Sequence, residues 1–127
     1  STATGPVADH TVGTGGKFLY LETSGGVAGD ADTLLSPFML VPAGAGPLTM
    51  SFWYHMHGAT MGQMEVYLDS SGTLLPLDTI VGQQQTGQPD AWLGDTLPIA
   101  GSYNGTSIRF VFVGVRGTSF TGDLAID

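Results

Sequence analysis

The chain contains no cysteine, so neither a disulfide, nor a thiolate metal site, nor a cysteine nucleophile can be built from it. Positive charge is nearly as scarce: Lys17, Arg109 and Arg116 stand against eleven Asp and Glu residues, for a formal net charge of -8 at pH 7. A surface of that sign cannot neutralise a phosphate backbone or be drawn to an anionic lipid face, which excludes nucleic acid as a natural partner. No apolar run approaches the ~20 residues that a membrane-spanning helix needs, and residues 1–17 lack the basic start and apolar centre of a signal peptide. No membrane insertion is expected, and any export signal is expected to have been removed or to lie upstream in a larger precursor. Helical periodicity is missing too; no segment repeats its apolar residues at a spacing of three and four for long enough to compete with strands.

What the chain does have is punctuation. Its 20 glycines and 7 prolines fall between short apolar runs, as turns fall between strands. A length of 127 residues suits one domain, here residues 1–127, with enough chain to bury a core unaided. Phe18–Thr23 alternates as a strand between two glycine-rich turns, and Leu34-Leu35 and Phe38–Val41 flank a break at Ser36-Pro37. Leu48–His57 is the longest β-favouring run. Alternation places Met50, Phe52, Tyr54 and Met56 on one face and Trp53, His55 and His57 on the other, with both faces expected to be at least partly buried. Gly58–Gly62 is expected to turn this strand into Gln63–Leu68 as a hairpin. Leu74–Val81 is interrupted by Pro76, Gln83–Asp90 reads as a loop, and Tyr103-Asn104-Gly105 as a tight turn. With Thr96–Ile99, Ile108–Val113 and Gly122–Asp127 the total is about seven to nine short strands, the pattern of an all-β jelly-roll sandwich of two antiparallel sheets.

Residues able to carry chemistry are few. His10, His55 and His57 are the only histidines; the last two share a face at i, i+2, a two-ligand spacing that lacks further soft ligands. No Gly-x-Ser-x-Gly elbow supports a serine nucleophile, and the acids mostly adjoin turn residues, so no catalytic residue is assigned. A hard divalent ion, calcium above all, is the better-supported cofactor: Asp9, Asp30, Asp123 and Asp127 lie in glycine-rich loops or on one face of the last strand, where they could supply oxygens. Trp92, beside the loop that holds Gln85 and Asp90, is the candidate for stacking on a sugar ring, with Trp53 read as core. Asn104-Gly-Thr106 fits a glycosylation acceptor but is more simply a turn.

Taken in order, Gly5-Pro6, Asp9-His10-Thr11, Gly13, Gly16, Phe18–Glu22, Leu34–Pro37, Ser51–Gly58, Gly62–Leu68, Gly82-Gln83, Trp92, Phe112–Gly117 and Gly122–Asp127 resemble a MAM domain over nearly the whole chain. The resemblance implies an extracellular or cell-surface, non-catalytic interaction or adhesion module of a larger protein, with other copies or flanking domains as partners. It implies a structural cation at positions such as Asp9 and Asp123, and a packing role for the histidines and for Trp92. Animal members usually carry disulfides, so the lack of cysteine suggests a bacterial or simplified member. The family pattern opens with one more segment, whose absence would leave a sheet edge open to another strand. From a different class, a carbohydrate-binding module of an exported enzyme, with polysaccharide as partner, is the alternative.

Overall fold

The computed structural model describes residues 3–127. Nine strands follow in chain order: β1 (Leu19–Leu21), β2 (Ala31–Leu35), β3 (Met39–Leu40), β4 (Leu48–His57), β5 (Gln63–Ser70), β6 (Thr73–Val81), β7 (Leu93–Ile99), β8 (Ser107–Val115) and β9 (Asp123–Ile126). They form two antiparallel sheets. One runs β1-β9-β4-β7, and the other β2-β8-β5-β6, with β3 also paired to β8. The only helical element among the described residues is a single 3-10 turn, Gly101–Tyr103, and no helix there is long and apolar enough to cross a membrane.

Strand alternation explains the core. Phe52, Tyr54 and Met56 of β4, Leu124 and Ile126 of β9, Met64 and Val66 of β5, and Ile80 of β6 close into one buried cluster between the sheets. Phe52 meets Phe112 of β8 edge to face at 5.2 Å. Val41, Leu68 and Ile108 form a smaller cluster that caps one end.

The break foreseen at Ser36-Pro37 separates β2 from β3, and the serine carries the ladder across it. Its N–H donates to the Phe110 carbonyl at 2.9 Å while its Oγ accepts from the Phe110 N–H at 2.8 Å. Pro37, which has no N–H, therefore costs the sheet nothing at that edge. Pro76 does not interrupt its strand as expected. It lies in β6, the outer strand of its sheet, where the pairing with β5 shifts register between Val66 and Tyr67 and takes up the irregularity.

The expected hairpin over Ser51–Leu68 is corrected by the topology: β4 and β5 belong to different sheets and share no ladder. Gly58–Gly62 is a crossover between sheets, pressed so closely on the β8–β9 connection that a Cβ on Gly62 would collide with the Val115 carbonyl. The tight hairpin is the next one, β5 to β6. Ser71 (φ 54°) and Gly72 (φ 86°) supply the two positive-φ positions that a two-residue turn matched to strand twist requires. Asp69 accepts the Gly72 N–H at 2.8 Å and the Arg109 Nε at 2.7 Å, pinning the turn to β8.

Candidate functional site at the strapped face of the four-stranded sheet

The side of β4 opposite the core carries Trp53, His55 and His57; Asp123 of β9 lies on the same side, and Asp127 just past the end of β9 follows it there by alternation. Residues 4–12 cross this face as a strap, tied at Thr4, Gly5, Ala8, His10 and Thr11. Thr4 donates its hydroxyl to Asp123. The Gly5 carbonyl accepts from Gln88 Nε2 at 2.6 Å, and the Ala8 carbonyl from the Trp92 indole N–H at 3.0 Å. The His10 ring lies flat on Trp53, with centroids 3.7 Å apart and planes 15° from parallel. Thr11 gives both its N–H and its hydroxyl to Asp127, at 3.1 and 2.8 Å.

Of the seven residues singled out from the sequence for binding, four belong to this strap or hold it: Asp9, Asp123, Asp127 and Trp92. Asp9 is buried and accepts the Val12 N–H at 2.6 Å, closing a turn so tight that a Cβ on Gly16 would run into its carboxylate. Asp123 is fully buried; besides Thr4, it accepts from the Thr23 N–H and hydroxyl and from the Tyr20 hydroxyl, which joins it to β1. Burial first, then hydrogen bonding to Glu22 and the charge of Asp123, holds the Tyr20 phenol protonated far above its ordinary range. Asp30 stands apart from these in the loop before β2, where it caps the Val27 N–H at 2.7 Å.

Gln85 is buried, 3 % exposed, and substitutes for a strand. β7 pairs β4 only as far as Tyr54, and beyond that point the Gln85 amide takes over. Its Oε1 accepts the Met56 N–H at 2.7 Å, and its Nε2 donates to the Tyr54 and Ala91 carbonyls at 3.2 and 3.3 Å. Asp90 shapes the neighbouring loop, accepting from the Thr86 hydroxyl and from the N–H groups of Thr86 and Gly87 at 2.8 to 2.9 Å. Those bonds, the Thr86 hydroxyl first, depress its pKa. Trp92 is half-buried, edge-on to Phe18 and to His55. Between strap and loop a cavity of about 300 Å³ remains, lined by Pro6, His10, Gln88, Asp90 and Trp92 among others.

For calcium the fit is poor. Asp30 sits in a different loop, Asp9, Asp123 and Asp127 are each committed to N–H or hydroxyl donors, and among the described residues no three His, Asp or Glu side chains gather as a metal-holding group. His55 is buried without any exposure, and burial followed by the neighbouring His57 pushes its pKa below the ordinary histidine value. Trp53 is not core, as its place in the strand suggested; it is 39 % exposed and forms the platform for His10. The alternation that separated it from Phe52 and Tyr54 was the signal for this. The His10–Trp53 stack itself leaves no mark in the spacing.

The model of the MAM domain, meprin/A5/mu, matches residues 1–127. Thyroid hormone-induced protein B of Xenopus laevis is 36% identical over 125 residues, covering 98% of this chain and 17% of that protein. MAM domain-containing protein 2 of Mus musculus is 35% identical over 129 residues, 98% of this chain and 17% of its own length. MAM domain-containing glycosylphosphatidylinositol anchor protein 2 of Homo sapiens is 34% identical over 131 residues, 98% of this chain and 13% of its own length. The chain thus spans less than a fifth of these curated relatives, and relatives from frog, mouse and human lend no support to the bacterial origin that its lack of cysteine suggested. With its sandwich fold and a match along its whole length, the chain belongs to the MAM domain family.

Proposed function

We propose that this domain is a non-catalytic interaction module, working outside the cell or at its surface within a larger protein, and that it associates through a sheet edge. The observation that carries the proposal is the apolar flank formed by β2 and β3. Leu35, Phe38, Met39 and Leu40 are exposed there, Leu40 to 70%, on the outer strand of its sheet. An exposed apolar edge is normally blunted by charge, and where it is kept it offers both backbone groups and apolar area to another chain. Arg109 lies over the Phe38 ring at 4.7 Å, so the flank has a cationic margin in a strongly acidic chain. The names of the glycosylphosphatidylinositol anchor proteins among the relatives support the cell-surface setting.

Polysaccharide binding has little to stand on, because the Trp92 indole N–H is held by the Ala8 carbonyl and Gln85 is buried. Calcium forms no part of the proposal, for want of a gathered ligand set. Sedimentation velocity over a range of concentrations tests the edge. The parent chain should self-associate, and Phe38→Asp and Leu40→Asp should each abolish association without lowering the melting temperature. A parent chain that stays monomeric at high concentration refutes association of copies through this flank.

A further inference from the structure

Two carboxylic acids lie on the core side of the sandwich. Asp95 of β7 pairs Phe52 of β4, and Asp78 of β6 pairs Val66 of β5. Phe52 and Val66 belong to the buried cluster, and residues opposite each other on paired strands share a face, so both acids are turned toward the space between the sheets. Ile80 and Leu97, two residues further along β6 and β7, pack into the same core. β6 and β7 are the last strands of their sheets, and the acids meet where those strands face each other.

The chemistry of that meeting is unusual. Asp95 Oδ1 accepts the Thr96 N–H at 2.7 Å, while Oδ2 is buried and receives no donor among the described residues. The Asp78 side chain stands within hydrogen-bonding reach of Asp95. Ionised carboxylates only accept, so a bond between these two exists only when one of them carries a proton. No cation of the chain takes the proton's place. Lys17 lies with Phe18 and Leu19 on the β1 side, Arg109 is paired with Asp69 over the Phe38 ring, and Arg116 donates to the Thr23 carbonyl. His10, His55 and His57 belong to the strapped face on the other side of β4. From β4 the titratable neighbour is the Tyr54 phenol, and β5 presents Met64 and Val66.

We infer that Asp78 and Asp95 share one proton, forming a carboxyl–carboxylate bridge that joins the outer strands of the two sheets in acid and is lost as the pH rises. Burial first, and then Asp78 against the bond from the Thr96 N–H, raises the Asp95 pKa. A raised folded pKa means that the bridge is complete below the ordinary carboxylate value and is lost as pH rises through the folded one. With both groups ionised, two like charges face each other beside the core, so this flank of the sandwich is the one that neutral pH strains. The device differs from a surface ion pair. Salt screens that, whereas here a proton decides whether the contact attracts or repels.

The experiment follows the Asp95 carboxyl by carbon NMR, and the urea midpoint, from pH 8 to pH 4 in the parent, Asp78→Asn, Asp95→Asn and the double variant. In the parent Asp95 should titrate above the ordinary carboxylate value. In Asp78→Asn, whose amide donates without a proton from solution, it should titrate lower by about one pH unit or more. Each single variant should have a higher midpoint than the parent at neutral pH and lose that advantage in acid, and the double variant should gain no more than the better single one, since the repulsion can be removed only once. An Asp95 titration that Asp78→Asn leaves unchanged overturns the inference, because burial alone then accounts for it, and so do additive gains in the double variant. A rise in the parent's midpoint on adding millimolar calcium at neutral pH, absent from both single variants, would make a metal ion the occupant and overturn it equally.

Discussion

Gln85→Ala tests whether one amide stands in for a missing stretch of strand. The substitution removes the acceptor of the Met56 N–H and a donor to the Tyr54 carbonyl, both on a part of β4 whose side chains are buried. Leaving a buried polar group unsatisfied costs about 1–3 kcal/mol. Two such groups, less some relief from water entering the space of the lost side chain, come to roughly 3 kcal/mol. In a chain of this size that is a fall of about 10 °C in melting temperature. Gln84→Ala is the matched control: its side chain is exposed and reaches only the Val81 and Gly82 carbonyls, so it should change stability by no more than about 0.5 kcal/mol. Gln85→Glu keeps the acceptor for Met56 but turns a carboxylate oxygen toward two carbonyls, and should be as harmful as alanine. Urea melts give the stabilities, and the Met56 amide reports locally, since its exchange should quicken in Gln85→Ala but not in Gln84→Ala. Equal stability of the two alanine variants would refute the structural role and return Gln85 to the pool of ligand-binding candidates.

Three further outcomes are expected. Phe52→Ala should cost roughly 3–5 kcal/mol in a urea melt, because the ring is buried among the core residues and packs on Phe112. The folded-state pKa of His55 is depressed by burial and by His57, so its contribution to stability is whole above the ordinary value of 6.5 and is lost as pH falls from there through the folded pKa. Between pH 7 and pH 5, His55→Leu should therefore lose less stability than the parent, and parallel pH curves would contradict this. Asp95 of β7 has the opposite sign: burial first, with Asp78 of β6 adding to it against the bond from the Thr96 N–H, raises its pKa. Its favourable contribution is whole below the ordinary carboxylate value and is lost as pH rises through the folded pKa, so Asp95→Asn should stabilise the protein at pH 7 and lose that advantage in acid.

Much of the fold was legible because alternation is a local signal. The core faces of β4 and β5 follow from reading every second residue, and Ser36-Pro37 marks its own break. What could not be read was which strands pair. A glycine-rich link of five residues serves a hairpin or a crossover equally well, and Gly58–Gly62 is a crossover because Gly62 and its neighbours press on the β8–β9 connection, a contact made far away in sequence. The candidate site shows the same limit. The residues were found but their use was not: whether Gln85 faces solvent or reaches the β4 backbone depends on where β7 stops, and whether Asp123 is free for a cation depends on Thr4 and Thr23, a hundred residues or more away.

The strap also explains why so many polar residues gather on one face of a domain without cysteine. A segment crossing a sheet needs fixing at intervals, and here the ties are hydroxyl–carboxylate, amide–carbonyl and ring-stacking contacts at Thr4, Gly5, Ala8, His10 and Thr11. A neutral tie contributes about 1 kcal/mol net, whereas each core ring contributes several times that. The strap can therefore open locally at a smaller cost than the sandwich pays to unfold, and opening would bare Trp53, His55 and the buried Asp123 together. Acid acts on that balance, since the burial that keeps the His55 pKa low lasts only while the face is covered. The face that the sequence marks as chemically richest is thus the one whose chemistry is used to keep it closed.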